Sequence, residues 1–388
     1  MGNPKGCWRV CAGASLCLFS IAGLIINAFS VYMPFLQQSC GLTNTQTANY
    51  ILVRSVFAFL AMLFVGKYYK KLDLRLGMMA AMLLAGSSLL LFGRARTYGG
   101  LCFAAIVGGI AYGFGGMYPA SLLIDRWFRR HSALALGICA ASTGLGSIIG
   151  APAVTAAIAR WSVHTVLTWE GLMIVGLALI AGLLIRNDPP GVQRQQADTP
   201  SGRLSIRLDW MFVAVVAIGA TANTGYQFFS MLFSLRQFSA QQISLLASLA
   251  GVGVVASKFL FGEAVDEFGG FRSNWLFMGS TILGCVLLWL GHGFVSGLIG
   301  VILYGLGLAY STVGLTVYAH DLNLPDAFSD AVRQYQTAFM LGSLIFGSVP
   351  GLIADRTGGY GLFYGLLAIL GVFSLIVIQT RYKKRQSS

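Results

Sequence analysis

Twelve apolar stretches, each close to the roughly 20 residues a helix needs to cross a bilayer, run through this sequence and leave few folds open to it. They fall near 10–36, 46–66, 76–93, 98–124, 132–159, 163–185, 209–235, 242–265, 274–291, 294–318, 331–353 and 360–379. In hydrocarbon every backbone amide and carbonyl needs a partner within the protein, and only helices and closed barrels provide one. Barrel strands would be shorter and would alternate polar with apolar residues, so the stretches predict an all-α membrane protein of twelve transmembrane helices. Composition points the same way: 56% of the 388 residues are hydrophobic and 10% are charged, more apolar surface than a soluble fold can hide.

The net charge of +13 could suggest a nucleic-acid partner, but the basic residues sort by side of the membrane rather than into one patch. Lys5 and Arg9, the turn from Lys67 to Arg75, Arg126 to Arg130, the loop from Arg186 to Arg207 and the tail from Arg381 to Arg385 all fall on one side. Only Arg94, Arg96, Arg160, Arg236 and Arg356 fall on the other. The positive-inside rule then places both termini in the cytoplasm of a multi-pass cell-membrane protein, with lipid as surroundings and no nucleic acid needed to explain the charge. The first stretch is too long for the apolar core of a secretory leader, and eleven more follow, so it reads as an uncleaved helix. Met1-Gly2 also lacks the Ser or Thr at position 6 that a myristoylation signal prefers. Seven cysteines without CxxC spacing read as small packing residues, and nothing calls for a metal or cofactor.

Residues 186–208 are the one long polar stretch and read as a cytoplasmic linker between a six-helix bundle over 1–185 and a second over 209–388 that ends in a short basic tail. Features recur about 196 residues apart: Gly66 with Gly262, each closing the second helix of its half, and Asp125 with Asp321, each after the fourth. Two pseudo-symmetric halves are the pattern of secondary transporters, whose site lies near mid-membrane where the repeats meet.

The turn Gly262-Glu-Ala-Val-Asp266-Glu-Phe-Gly269-Gly-Phe-Arg272 resembles the short loop motif of the major facilitator superfamily. There the Gly permits close helix approach, and the Asp can cap a neighbouring helix or pair with an Arg. The first-half turn carries Gly66 and Arg75 but has Lys70 in place of the Asp. Asp125-Arg-Trp-Phe-Arg129-Arg with the Gly-rich run to Gly146, and Gly351-Leu-Ile-Ala-Asp355-Arg-Thr-Gly358-Gly-Tyr360, resemble the monocarboxylate transporter and oxalate/formate antiporter branch. Gly109 with Gly113, and Gly146 with Gly150, have the small-xxx-small spacing of tight helix contacts.

Two cations interrupt the apolar stretches, Arg54 in the second and Lys258 in the eighth. A charge at mid-membrane costs about 3 kcal/mol on insertion scales, so each is expected to face a polar interior where an anion can meet it. Lys258 lies about 12 Å inside its helix, and its face continues through Val254, Gly251, Ala247 and Ser244, with Leu245, Leu246 and Leu249 elsewhere. In the resembled carriers an eighth-helix Arg with Gly four residues on binds the substrate carboxylate; Lys258 and Gly262 have that spacing, with an ammonium that lacks the guanidinium fork and can couple binding to protonation. The alternative is a lysine that snorkels to the interface. Arg54 could hold a second carboxylate, guard the extracellular entrance or fix an interhelical hydrogen-bond network. The family's first-helix Lys and eighth-helix Asp are absent. Glu170 is either a proton-coupling group, alongside Lys258, or an interfacial side chain. Asn27 and Tyr32 in the first helix, Tyr118 in the fourth, Asn223, Tyr226 and Gln227 in the seventh and Tyr310 in the tenth are further candidates to line the path, on helices that line it in this superfamily.

These residues imply a secondary transporter of a small organic anion, a monocarboxylate above all, by alternating access with proton symport or anion exchange. Nothing in the residues requires more than a monomer. The chain has no HExxH, GxSxG or GxxxxGK, and its four histidines stand far apart, which argues against an enzyme. Gly251-Val-Gly253-Val-Val-Ala256 matches a dinucleotide fingerprint only on paper, because no strand precedes it. The alternative of an export pump for drugs or other lipophilic compounds would favour a buried carboxylate over two buried cations.

Overall fold

The computed structural model describes residues 4, 6–128, 131–188, 208–323 and 328–386, and among these every regular element is helical. The helices long and apolar enough to span a membrane are α1 (Cys7–Cys40), α2 (Asn44–Lys71), α3 (Leu74–Arg94), α4 (Tyr98–Trp127), α5 (Leu134–Ile158), α6 (Val163–Leu184) and α7 (Trp210–Leu235). They continue as a 51-residue helix, Ala240–Leu290, then α10 (Phe294–Ser311), α11 (Asp330–Thr357) and α12 (Gly361–Arg385). Inside the long helix Gly269 has φ 76° and ψ 160°, a conformation a side chain would resist. It bends the helix into two arms, α8 (240–268) and α9 (270–290), so the twelve expected spans are all present. Past α10 the chain turns at Thr312 and continues as a helix over Val313–Leu322.

Residue contacts divide the chain into two units: Met1–Leu42 with Tyr50–Ser201, and Thr43–Asn49 with Gly202–Ser388. Most of the 186–208 linker, and Arg129 of the α4–α5 loop, lie outside the described residues.

Each unit is closed by glycines whose hydrogens let backbones touch. In the first, a Cβ on Gly146 would stand 2.2 Å from the Gly23 carbonyl carbon, bringing α5 onto α1. In the second, a Cβ on Gly342 would stand 2.0 Å from the Val216 oxygen and one on Gly219 1.9 Å from the Phe339 oxygen, bringing α11 onto α7. Gly23 pairs with Gly219, and Gly146 with Gly342, at the same 196-residue offset that relates Gly66 to Gly262. Likewise a Cβ on Gly109 would stand 2.2 Å from the Arg54 carbonyl oxygen, and one on Gly305, again 196 residues on, 2.7 Å from the Ala250 carbonyl oxygen. The duplication therefore preserves these close backbone approaches in each unit. The expected small-xxx-small contacts of Gly109 with Gly113 and of Gly146 with Gly150 are all made.

Two boundaries differ from expectation. The second helix does not close at Gly66 but runs to Lys71, because Tyr68 stacks on Phe114 at 4.1 Å between ring centroids and the Tyr69 hydroxyl donates to the Phe114 carbonyl, tying the extra turn to α4. Asp73 then caps α3 through the Leu76 amide. Gly262 does not close α8 either, and nothing lies within 4 Å of the position its Cβ would take, so it brings no helices together.

Candidate functional site

The first helix of each unit is not α-helical throughout. Phe19–Asn27 in α1 and Ala220–Thr224 in α7 are wound as π-helix, a widening that leaves backbone carbonyls for other donors to satisfy. In the first unit the Ile25 carbonyl receives Nη1 of Arg54 at 2.8 Å. In the second, the residue 196 positions on is Thr221, and its carbonyl receives the Tyr304 hydroxyl. Two residues further along each segment, Asn27 donates Nδ2 to the Thr143 carbonyl of α5 at 2.9 Å, and Asn223 donates Nδ2 to the Ser343 hydroxyl of α11 at 2.6 Å.

Arg54 is buried, with 2% of its surface exposed, and its guanidinium carbon lies 5.2 Å from the centre of the Phe29 ring. An interhelical hydrogen bond of the kind open to it as one of three roles is thus present, and the charge stands beside a helix that has opened its backbone. Lys258 is half-buried on the boundary between the buried and exposed faces of α8, with Ser257 and Phe261 buried and Phe259 and Leu260 exposed. Of its expected face, Ser244, Ala247 and Gly251 are buried. Of the leucines placed off that stripe, Leu246 is buried and Leu245 exposed.

Glu170 does not reach the protein surface: 8% exposed on α6, it accepts a hydrogen bond from the hydroxyl of fully buried Tyr32 in α1. A carboxylate so placed is held away from water with a phenol as its hydrogen-bond donor. Tyr226 is buried and packs edge-on against Phe229, Gln227 is half-buried, and Tyr118 is half-buried 6.5 Å from Tyr69 between ring centres. Tyr310 lies in the apolar core of the second unit with Phe261, Phe277 and Met278 and is 1% exposed, a packing position.

The loop residues have mixed outcomes. Asp125, Asp266 and Arg272 are exposed, and Asp266 makes no hydrogen bond or ion pair among the described residues. Arg75 is exposed, its backbone amide bonded to Asn187 Oδ1 at 2.8 Å. Arg126 pairs with Asp188 at 3.2 Å, and Trp127 Nε1 donates to the Arg186 carbonyl, so the start of the linker is anchored on α4. Asp355 does the capping expected of Asp266. Its carboxylate accepts from the backbone amides of Asn44 at 3.0 Å and Thr45 at 2.9 Å and from both side chains, within the second unit. The other residues of that motif serve the same contact. A Cβ on Gly351 would stand 2.4 Å from the Asn44 carbonyl, Tyr360 donates to Asn44 Oδ1, and Gly358 ends the helix at φ 74°. Two acceptor oxygens over four donors at a helix start, 310 and 311 residues away, are an arrangement with no local signal in the sequence.

A chain of twelve membrane helices in two glycine-closed repeats is the architecture of a membrane transporter, and comparison with known proteins names the family. The Major Facilitator Superfamily family model matches residues 15–345, and the chain belongs to that superfamily. Among curated proteins it is similar to an MFS-type transporter of Gibberella moniliformis, 24% identical over 91% of this chain and 84% of that one. It is also similar to the probable transporter MCH2 of Saccharomyces cerevisiae, 24% identical over 47% and 40%. The uncharacterized MFS-type transporter YhhS of Salmonella paratyphi C is 26% identical over 57% and 55%. Across the first curated relatives the chain spans only about two-fifths to just over half of their length. Among solved structures, the nucleoside transporter NupG superposes with a TM-score of 0.79 at 12% identity, covering 97% of this chain and 100% of the other. A bacterial homologue of the human lysosomal transporter Spinster gives 0.61 at 14%, covering 97% and 92%. At these identities the likeness is one of fold.

Proposed function

We propose that the protein is a secondary active transporter of a small organic anion, a monocarboxylate being the expected passenger, working by alternating access with its termini in the cytoplasm. One observation supports this most: Arg54, Lys258, Glu170 and Tyr32 fall where the two repeats differ. At the 196-residue offset Arg54 corresponds to Ala250, Lys258 to Met62, Glu170 to Leu366 and Tyr32 to Phe228, whereas the closing glycines are shared. Packing explains what the halves have in common; the charges are additions to it, and positive charge held in an apolar segment is favoured by a negatively charged solute. Lys258 is assigned the carboxylate of the substrate, Arg54 a supporting positive field beside the open turn of α1, and Glu170 a proton.

One finding favours a second reading. A buried carboxylate, which Glu170 provides, is what an exporter of lipophilic cations would use. Uptake and counterflow by the purified protein in proteoliposomes, with labelled mono- and dicarboxylates, amines and neutral compounds, with and without a pH gradient, separates the two. Carboxylate transport that is lost in Lys258→Ala and retained in Lys258→Arg is the expected result. Normal carboxylate transport by Lys258→Ala removes the site assignment, and preference for amines installs the exporter.

A further inference from the structure

The sequence scatters seven cysteines with no motif, yet the fold brings two of them together in the first unit. Cys11 on α1 and Cys139 on α5, 128 residues apart, hold their sulfurs 3.8 Å from each other. The backbones are close there too. Cys139 Sγ lies 3.8 Å from the Cys11 carbonyl, Cys11 Sγ lies 3.7 Å from the Ala135 carbonyl, and Ser142 Oγ donates to the Ser15 carbonyl at 3.0 Å. The two sulfurs stand about 1.7 Å farther apart than the roughly 2.05 Å of a disulfide, a gap that the couple requires side-chain rotation to close.

Two further observations give the pair chemistry. The Ser15 hydroxyl donates to Cys139 Sγ at 3.4 Å, and a hydrogen-bond donor at sulfur favours the thiolate, the form in which Cys139 attacks an oxidised partner sulfur. Cys11, 2% exposed, also lines an open apolar groove of about 420 Å³, walled by Trp8, Leu16, Phe19, Ile138 and Leu145, whereas Cys139, 0% exposed, is not among its lining residues. One sulfur is therefore placed to meet a reagent and the other to resolve the product.

We propose that Cys11 and Cys139 form a dithiol–disulfide couple, a reversible modification site whose oxidant is an organic hydroperoxide of the kind formed on unsaturated acyl chains, and whose closure pins α1 to α5. This is independent of the transport reading. In the first step the Cys11 thiolate attacks the outer peroxide oxygen, the O–O bond breaks, and Cys11 becomes a sulfenic acid as the alkoxide leaves and takes up the thiol proton. In the second, Cys139 sulfur attacks the sulfenic sulfur, the S–S bond forms, and hydroxide leaves with the Cys139 proton as water. Two thiols and one hydroperoxide thus give one disulfide, one alcohol and one water. The apolar groove suits a hydroperoxide with a hydrocarbon body better than hydrogen peroxide.

The test uses the full-length protein in lipid nanodiscs, treated with cumene hydroperoxide, then alkylated and mapped by mass spectrometry before and after dithiothreitol. Two of the seven thiols should be lost, a peptide linking Cys11 to Cys139 should appear, and the reductant should restore both. In Cys139→Ser the Cys11 sulfenic acid should persist and be captured by dimedone; in Cys11→Ser, Cys139 should stay alkylatable. Retention of both thiols in the treated wild type, or loss of Cys139 in Cys11→Ser, overturns the proposal. Equal reactivity of Cys11 and fully buried Cys285 also overturns it, since it would show that the groove confers no access.

Discussion

Asn27 and Asn223 stand 196 residues apart and do the same work in the two units, each leaving a π-helical segment to donate its side-chain amide to the fifth helix of its own bundle. Membrane helices gain little from apolar contact with one another, so bonds of this kind and backbone packing hold them together. Asn27→Ala and Asn223→Ala should each cost about 1 kcal/mol, seen as similar small decreases in melting temperature in detergent. A loss in one variant but not in the other would show that the two bonds are not equivalent.

Arg54 has a partner that its counterpart lacks. Its guanidinium satisfies the Ile25 carbonyl, where the second unit uses the neutral Tyr304 hydroxyl at Thr221. Arg54→Ala and Tyr304→Phe each leave a buried carbonyl unmatched, and both should destabilise by about 1–3 kcal/mol. If the charge also serves the substrate, transport should fall far more in Arg54→Ala than in Tyr304→Phe at equal loss of stability. Parallel losses would reduce Arg54 to a structural donor.

Tyr32 and Glu170 make a buried polar pair with no place for an unmatched charge. Glu170→Gln keeps a hydrogen-bonding group of the same shape that cannot titrate. In proteoliposomes it should fold and bind as wild type does, while its transport loses dependence on the external pH. Tyr32→Phe should retain that dependence with a displaced midpoint. A wild-type pH profile in Glu170→Gln would assign the proton elsewhere, with Lys258 the remaining candidate.

The glycines supply a contrast internal to one chain. Gly146→Ala and Gly342→Ala put a methyl group into backbone atoms at 2.2 and 2.0 Å, so α1 and α5, or α7 and α11, must separate, with a melting temperature several degrees lower. Gly262→Ala meets open space inside a helix and should stabilise by about 0.5–1 kcal/mol. Tolerance of Gly146→Ala equal to that of Gly262→Ala would contradict the close contact.

The helical membrane fold and the number of spans were legible from residue order alone, because the free energy of moving a segment from water to hydrocarbon depends on that segment's own composition. The repeat was legible for the same reason: Gly66 with Gly262 and Asp125 with Asp321 are readable as spacing, and the structure extends that offset to Gly23 with Gly219 and Gly146 with Gly342. The site was legible only as a set of residue types. That Arg54 and Lys258 interrupt apolar helices is local information. That Arg54 meets the Ile25 carbonyl, that Glu170 is taken up by Tyr32 and that Tyr310 belongs to the core are matters of which distant surfaces meet. Asp355 finds its donors 310 and 311 residues away, and Cys139 lies against Cys11 across 128. Helix propensity and hydropathy act over a few turns, whereas a hydrogen bond in hydrocarbon takes whatever partner packing delivers, so the tertiary structure alone decided how the charged and reactive groups are matched.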